Sequence, residues 1–117
     1  MKEKESFWDK DNDIKKDFEW LLKAAEQGHV EAQYNVAMVY HFGDGIEQDS
    51  KKAFEWALKA AQQGDAEAQH HVSVAYYRGD GVEKDTKKGL QWMLKAVKQG
   101  HIEAENNLAS LCNIVIL

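Results

Sequence analysis

A unit of 36 residues runs through the chain and recurs more than twice. AAEQGHVEAQYNVAMVYHFGDGIEQDSKKAFEWALK, beginning at Ala24, returns from Ala60 as AAQQGDAEAQHHVSVAYYRGDGVEKDTKKGLQWMLK, with roughly half the positions identical. It restarts at Ala96 as AVKQGHIEAENNLASLC and breaks off. A period between about 20 and 50 residues marks stacked supersecondary units, none of which buries its apolar face without a neighbour. Function is then expected on a surface built across repeats.

Each unit reads as two helices. From Glu31 to Phe42, apolar or small residues at Ala32, Val36, Ala37 and Tyr40 form a helical stripe, helix A. From Ser50 to Gln63, Ala53, Trp56, Ala57, Ala60 and Ala61 form a wider one, helix B. Gly43 with Gly45, and Gly79 with Gly81, follow helix A where a left-handed C-cap is expected. Asp49 and Asp85 are placed as N-caps of helix B, with Asp13 in the same place in the leading partial unit. Gly28, Gly64 and Gly100 end each helix B. The alternation predicts an all-α fold, an α/α right-handed superhelix, that is, a short solenoid of antiparallel helix pairs. Ala32, Ala68 and Ala104 are expected to face Ala60, Ala61 and Ala96, which lets helix axes approach closely. Tyr40, Tyr76, Trp20, Trp56 and Trp92 are expected to fill the larger core gaps.

A chain of 117 residues supports one domain. Its net charge is −5, and Arg78 is its only arginine. That balance is poorly suited to neutralising phosphates, so nucleic acid is not an expected partner. No stretch approaches a membrane span, and the charge-alternating MKEKESFWDKDND lacks the apolar centre of a signal peptide. With Cys112 as the single cysteine there is no internal disulfide, and a cytoplasmic location is expected.

The segments AEAQ, then YxxGDGVxxD as in Tyr76–Asp85, then KKxxxWxLKAAxQG, resemble the Sel-one-like repeat, a relative of the tetratricopeptide repeat. The resemblance divides the chain into a charged N-terminal segment, 1–12, and a Sel-one-like repeat domain, 13–117. Within it lie a partial unit 13–30, repeats 31–66 and 67–102, and a partial repeat 103–117. It implies a non-catalytic adaptor or scaffold for protein complexes. In bacteria it also implies host interaction, envelope assembly, signalling or neutralisation of a toxin by an immunity protein. Some secreted members carry cysteine pairs that staple each hairpin and are associated with β-lactam binding. Cys112 alone does not provide that pattern.

In solenoids of this kind the concave wall is lined by helix A. The outward positions expected to bind a protein or peptide partner are Tyr34, Asn35, Met38 and His41 in the first repeat. His70, Val74, Tyr77 and Arg78 follow in the second, and Asn106 in the third. Aromatic side chains supply contact area and amides meet a backbone. Glu31, Glu67 and Glu103 make an acidic ladder, so a ligand of basic or amide character is expected over an acidic peptide. A merely solvated wall is the alternative.

No cofactor is expected. His70 and His71 point about 100° apart on a helix, and no HExxH motif exists, so no metal site is expected. The GDG segments follow a helix and lack a phosphate loop's lysine and hydroxyl, which leaves them a capping role. No nucleophile, base and orienter stand at workable spacing, so an enzyme such as a β-lactam-binding hydrolase is disfavoured. The last helix A lacks a following helix B, leaving Leu108, Leu111, Ile114, Ile116 and Leu117 without obvious cover. A homodimer through this C-terminal end, and a purely self-associating structural role, therefore stand beside the adaptor reading. Phe7 and Trp8 are expected to cap the other end.

Overall fold

The computed structural model describes the backbone of residues 10–116 and the side chains of residues 15–111. Six α-helices follow one another: α1 (Lys10–Glu26), α2 (Val30–Phe42), α3 (Ser50–Gln62), α4 (Ala66–Arg78), α5 (Thr86–Lys98) and α6 (Ile102–Ile116). No strand occurs among the described residues. Each helix packs on its neighbours in sequence, from α1 on α2 through to α5 on α6. That is the contact pattern of an all-α solenoid, with helix A as α2, α4 and α6 and helix B as α1, α3 and α5. No described helix is long and apolar enough to cross a membrane. Phe7 and Trp8 lie outside the described residues, as do the side chains of Cys112, Ile114, Ile116 and Leu117.

Local chemistry sets the helix ends. Gly43 and Gly79 both have φ of 69° and donate their N–H to Val39 O and Ala75 O, closing α2 and α4 in the left-handed conformation. Asp49 and Asp85 each accept a backbone N–H, from Lys52 and Lys88 respectively, at 3.0 Å. Asp13 does not act in the same way, because α1 already starts at Lys10. No glycine or proline precedes Asp13 to stop the helix from extending upstream.

Small residues bring the layers together. Ala60 and Ala61 of α3 are buried with Ala68 of α4, and Ala96 of α5 with Ala104 of α6. Ala32 of α2 meets Ala25 of the preceding helix B. Edge-to-face rings fill the wider gaps, Phe18 on Tyr40 at 5.4 Å and Phe54 on Tyr76 at 5.2 Å. One tryptophan corrects the expected core. Trp20 is 72% exposed. Trp56 is half-buried because it reaches the clusters on both sides of its repeat, whereas no earlier described helix lies against Trp20. Trp56 and Trp92 pack on the core as expected, and Trp20, Trp56 and Trp92 each carry a lysine over the ring, Lys23, Lys59 and Lys95 at 5.2, 4.9 and 5.4 Å. The last helix also differs from expectation, since Leu108 and Leu111 are half-buried against Met93, Ala96 and Ala104.

A glutamine ladder fixes one repeat against the next. Gln33, buried in α2, donates to Ala25 O at 3.1 Å and accepts from Gln63 Nε2 at 2.7 Å. Gln63 Nε2 also reaches Gly28 O at 3.3 Å. One repeat later, Gln69 donates to Ala61 O at 3.2 Å and accepts from Gln99 at 2.9 Å, and Gln99 reaches Gly64 O at 2.8 Å. Ala25 O and Ala61 O already accept the N–H of Gly28 and Gly64 at 3.0 Å, so each glutamine adds a second bond at the helix end.

The second loop is held as tightly. Gly81 has φ of +78°, and a Cβ there would overlap the backbone carbonyl of Ser50 at the start of α3. Gly64, at φ +101°, has open space around it. Both alanine variants carry the left-handed strain of about 1–2 kcal/mol, so their difference isolates the overlap. Urea unfolding is expected to show Gly81→Ala losing at least about 2 kcal/mol more than Gly64→Ala. Equal losses would mean that the approach to Ser50 imposes no constraint.

Candidate functional site

Helix B of the two full repeats is rich in lysine. α3 carries Lys51, Lys52 and Lys59 against Glu55, and α5 carries Lys87, Lys88, Lys95 and Lys98 with no acid. The helix A layer has no lysine in any of its three members, and Glu31, Glu67 and Glu103 open their first turns. An N-terminal carboxylate complements the helix dipole, and stacking places one such group in each repeat.

Two of these carboxylates meet a pair of histidines. His101 Nδ1 accepts the N–H of Ala104 at 3.2 Å, taking the capping place that Asp65 fills for Ala68 at 2.8 Å. With Nδ1 occupied as an acceptor, the neutral ring carries its proton on Nε2, which donates to Glu67 at 3.0 Å. His70 lies 4.8 Å from His101 between ring centroids, contacts Asn107 through Nε2 at 2.9 Å, and has Glu103 at 3.9 Å from Nδ1. Tyr34 lies half-buried against the core. Burial raises its hydroxyl pKa above the ordinary value, and the charges of Glu67, Asp65 and Glu103 push in the same direction.

Beyond Asn107 the wall becomes apolar. A groove of about 260 Å³ opens between α4, α5 and α6, lined by Val74, Tyr77, Arg78, Met93, Asn107 and Leu111. On α4, Glu67, His70, Val74 and Tyr77 follow i, i+3, i+7 and i+10, one stripe that runs from the carboxylates into this groove. A second histidine pair, His41 and His71, stands across the α2 and α4 junction at 5.1 Å.

The expected wall residues fall into distinct places. Val74, Tyr77 and Arg78 line the groove, His70 belongs to the carboxylate group, and His41 pairs with His71. Tyr34 and Met38 pack half-buried on the core, while Asn35 and Asn106 are exposed. Sequence reasoning assigned no wall role to His101, Met93 or Leu111. The signal for the cross-repeat pairs is an offset of 30, which joins Gln33 to Gln63 and Gln69 to Gln99, and recurs within one residue for His41 with His71 and His70 with His101. Among the described residues no group of three or more potential ligands is arranged to hold a metal ion.

The histidines make the repeat junctions sensitive to acid. Burial lowers the His71 pKa from 6.5 to about 4, His41 adding to the effect and Asp80 opposing it. Burial and then His101 lower that of His70, against Glu103 and Glu67. The unfolded chain therefore binds more protons between those values, and stability rises with pH there. The neutral rings contribute fully above about pH 6.5, and their contribution is lost as pH falls toward about 4. The urea midpoint is expected to drop across that window, and the drop to shrink in His71→Asn. An unchanged drop in that variant would assign the acid sensitivity to other groups.

Comparison with known proteins places this geometry. The Sel1 repeat model matches residues 10–29, 30–65 and 66–101. A protective antigen of uropathogenic Escherichia coli with an SLR fold superposes at a TM-score of 0.79 and 35% identity, over 80% of this chain and 20% of the antigen. A Sel1 repeat protein from Oxalobacter formigenes gives 0.76 and 40%, over 79% of this chain and 27% of that one. Cysteine-rich protein B of Helicobacter pylori gives 0.75 and 26%, over 80% of this chain and 70% of that protein. The chain thus spans about a fifth and about a quarter of the first two relatives' lengths. No curated protein matches it. With three matched units over most of its length, the chain belongs to the Sel1 repeat family, whose members are generally non-catalytic scaffolds for protein interactions.

Proposed function

We propose that this chain is a non-catalytic adaptor that binds an extended segment of a protein partner along the α4 and α6 side of its helix A layer. The observation that carries the reading is the groove of about 260 Å³ among α4, α5 and α6, joined to the polar group by Asn107. An apolar trough with amides and charges at its edge fits a segment that inserts one or two side chains and hydrogen-bonds through its backbone. The ring nitrogens nearby favour binding over reaction, because His101 caps α6 and holds Glu67 while His70 is engaged by Asn107. Cytoplasmic adaptor and toxin-neutralising roles use the same surface.

A photo-crosslinking residue placed at Val74, and separately at Lys59 on helix B, tests the assignment in cells of the source organism. A partner captured from Val74 and not from Lys59 is the expected result. Capture from Lys59 alone would move the site to the helix B layer. Capture of only a second copy of the chain would replace the adaptor role with self-association.

A further inference from the structure

We infer that the bound segment carries a Lys or Arg side chain three residues from a bulky apolar one, the cation held by Glu67 and Glu103 and the apolar group seated in the groove at Val74 and Tyr77. This inference rests on the wall reading above and adds the chemistry of the partner.

The basic residue follows from what surrounds the upper end of the stripe. Glu67 uses one oxygen on His101, and Glu103 stands 3.9 Å from His70, so both carboxylates keep acceptor capacity toward solvent. Their side chains are 58% and 74% exposed, so a ligand can reach them without displacing the core. No lysine from the helix A layer competes for the place. Arg78, at the far end of α4, disfavours the reverse orientation, with the cation in the groove.

The spacing follows from the helix. Glu67 and Val74 are seven residues apart on α4, which is about 10 Å at 1.5 Å per residue. A polyproline II segment advances about 3.1 Å per residue with three residues per turn, so positions i and i+3 face the same side at about 9 Å. A β-strand puts i and i+3 on opposite faces. Same-face neighbours on a strand stand about 7 or 13 Å apart, so among extended conformations one polyproline II turn matches the span best.

The test uses immobilised peptides in a proline and alanine frame, each with one arginine and one leucine separated by one to seven positions, with glutamine-for-arginine controls. Binding is read at physiological ionic strength. The i, i+3 arginine peptide is expected to be retained about threefold to fivefold better than its glutamine control, as a solvent-exposed ion pair predicts. Glu67→Gln with Glu103→Gln is expected to abolish that preference. Glu47→Gln with Glu83→Gln, which removes the same charge from exposed loops, is expected to keep it. Arginine and glutamine peptides held alike would overturn the basic residue and leave the groove reading standing. Equal loss in both double variants would reduce the preference to general attraction by an acidic protein and overturn it. An optimum at seven positions would indicate a bound helix and overturn the extended register. No retained peptide, together with no crosslink from Val74, would overturn both this inference and the adaptor reading.

Discussion

Gln33 and Gln69 are each 5% exposed, and a primary amide in such a place is tolerated only when its polar atoms are bonded. Here the oxygen of each accepts from a glutamine in the following repeat, and the nitrogen of each holds a carbonyl at the end of the preceding helix B. Three successive elements are tied at one point. Alanine contacts alone permit helices to slide, since small side chains interlock weakly, whereas a directional bond to a fixed carbonyl sets rotation and rise together. The stack direction from α1 to α5, and with it the alignment of Glu31 with Glu67, depends on that connection. Where the third unit has Glu105 in place of the glutamine, that side chain is exposed.

The two layers of the solenoid serve different ends with similar materials. On helix B, lysines lie over tryptophan rings at 4.9–5.4 Å, so the aliphatic stems cover apolar surface and the charges face water. On helix A, carboxylates, histidines and an apolar trough share one stripe, and the polar atoms are partnered across repeats. Side chains along α2, α4 and α6 differ from repeat to repeat, while Ala32, Ala68 and Ala104 recur at the same place in each.

Much of the fold was legible because its signals are local. The glycines at 43 and 79 and the aspartates at 49 and 85 act within one turn of their own helix, so the period and the capping chemistry suffice to place them. Trp20 was misread because burial of a helix B residue is decided by the neighbouring unit, which sequence spacing does not report. Asp13 was misread because a repeat register predicts a cap only where a loop interrupts the chain. Which helix A side chains come together was not legible. His101 sits in a turn by sequence, yet the stack brings it to 4.8 Å from His70, an offset that only the geometry of the superhelix defines. The glutamines were equally hidden, since a polar residue in AEAQ looks like solvent-facing surface until its carbonyl partners are in place.

A double-mutant cycle on Gln69 and Gln99, each replaced by leucine, measures whether the ladder joins the repeats. Each single variant leaves a polar partner behind in a part-buried site, so a coupling of about 1 kcal/mol or more is predicted between them by urea unfolding. Additive losses, with no coupling, would contradict the account and leave the register of the stack to alanine packing alone.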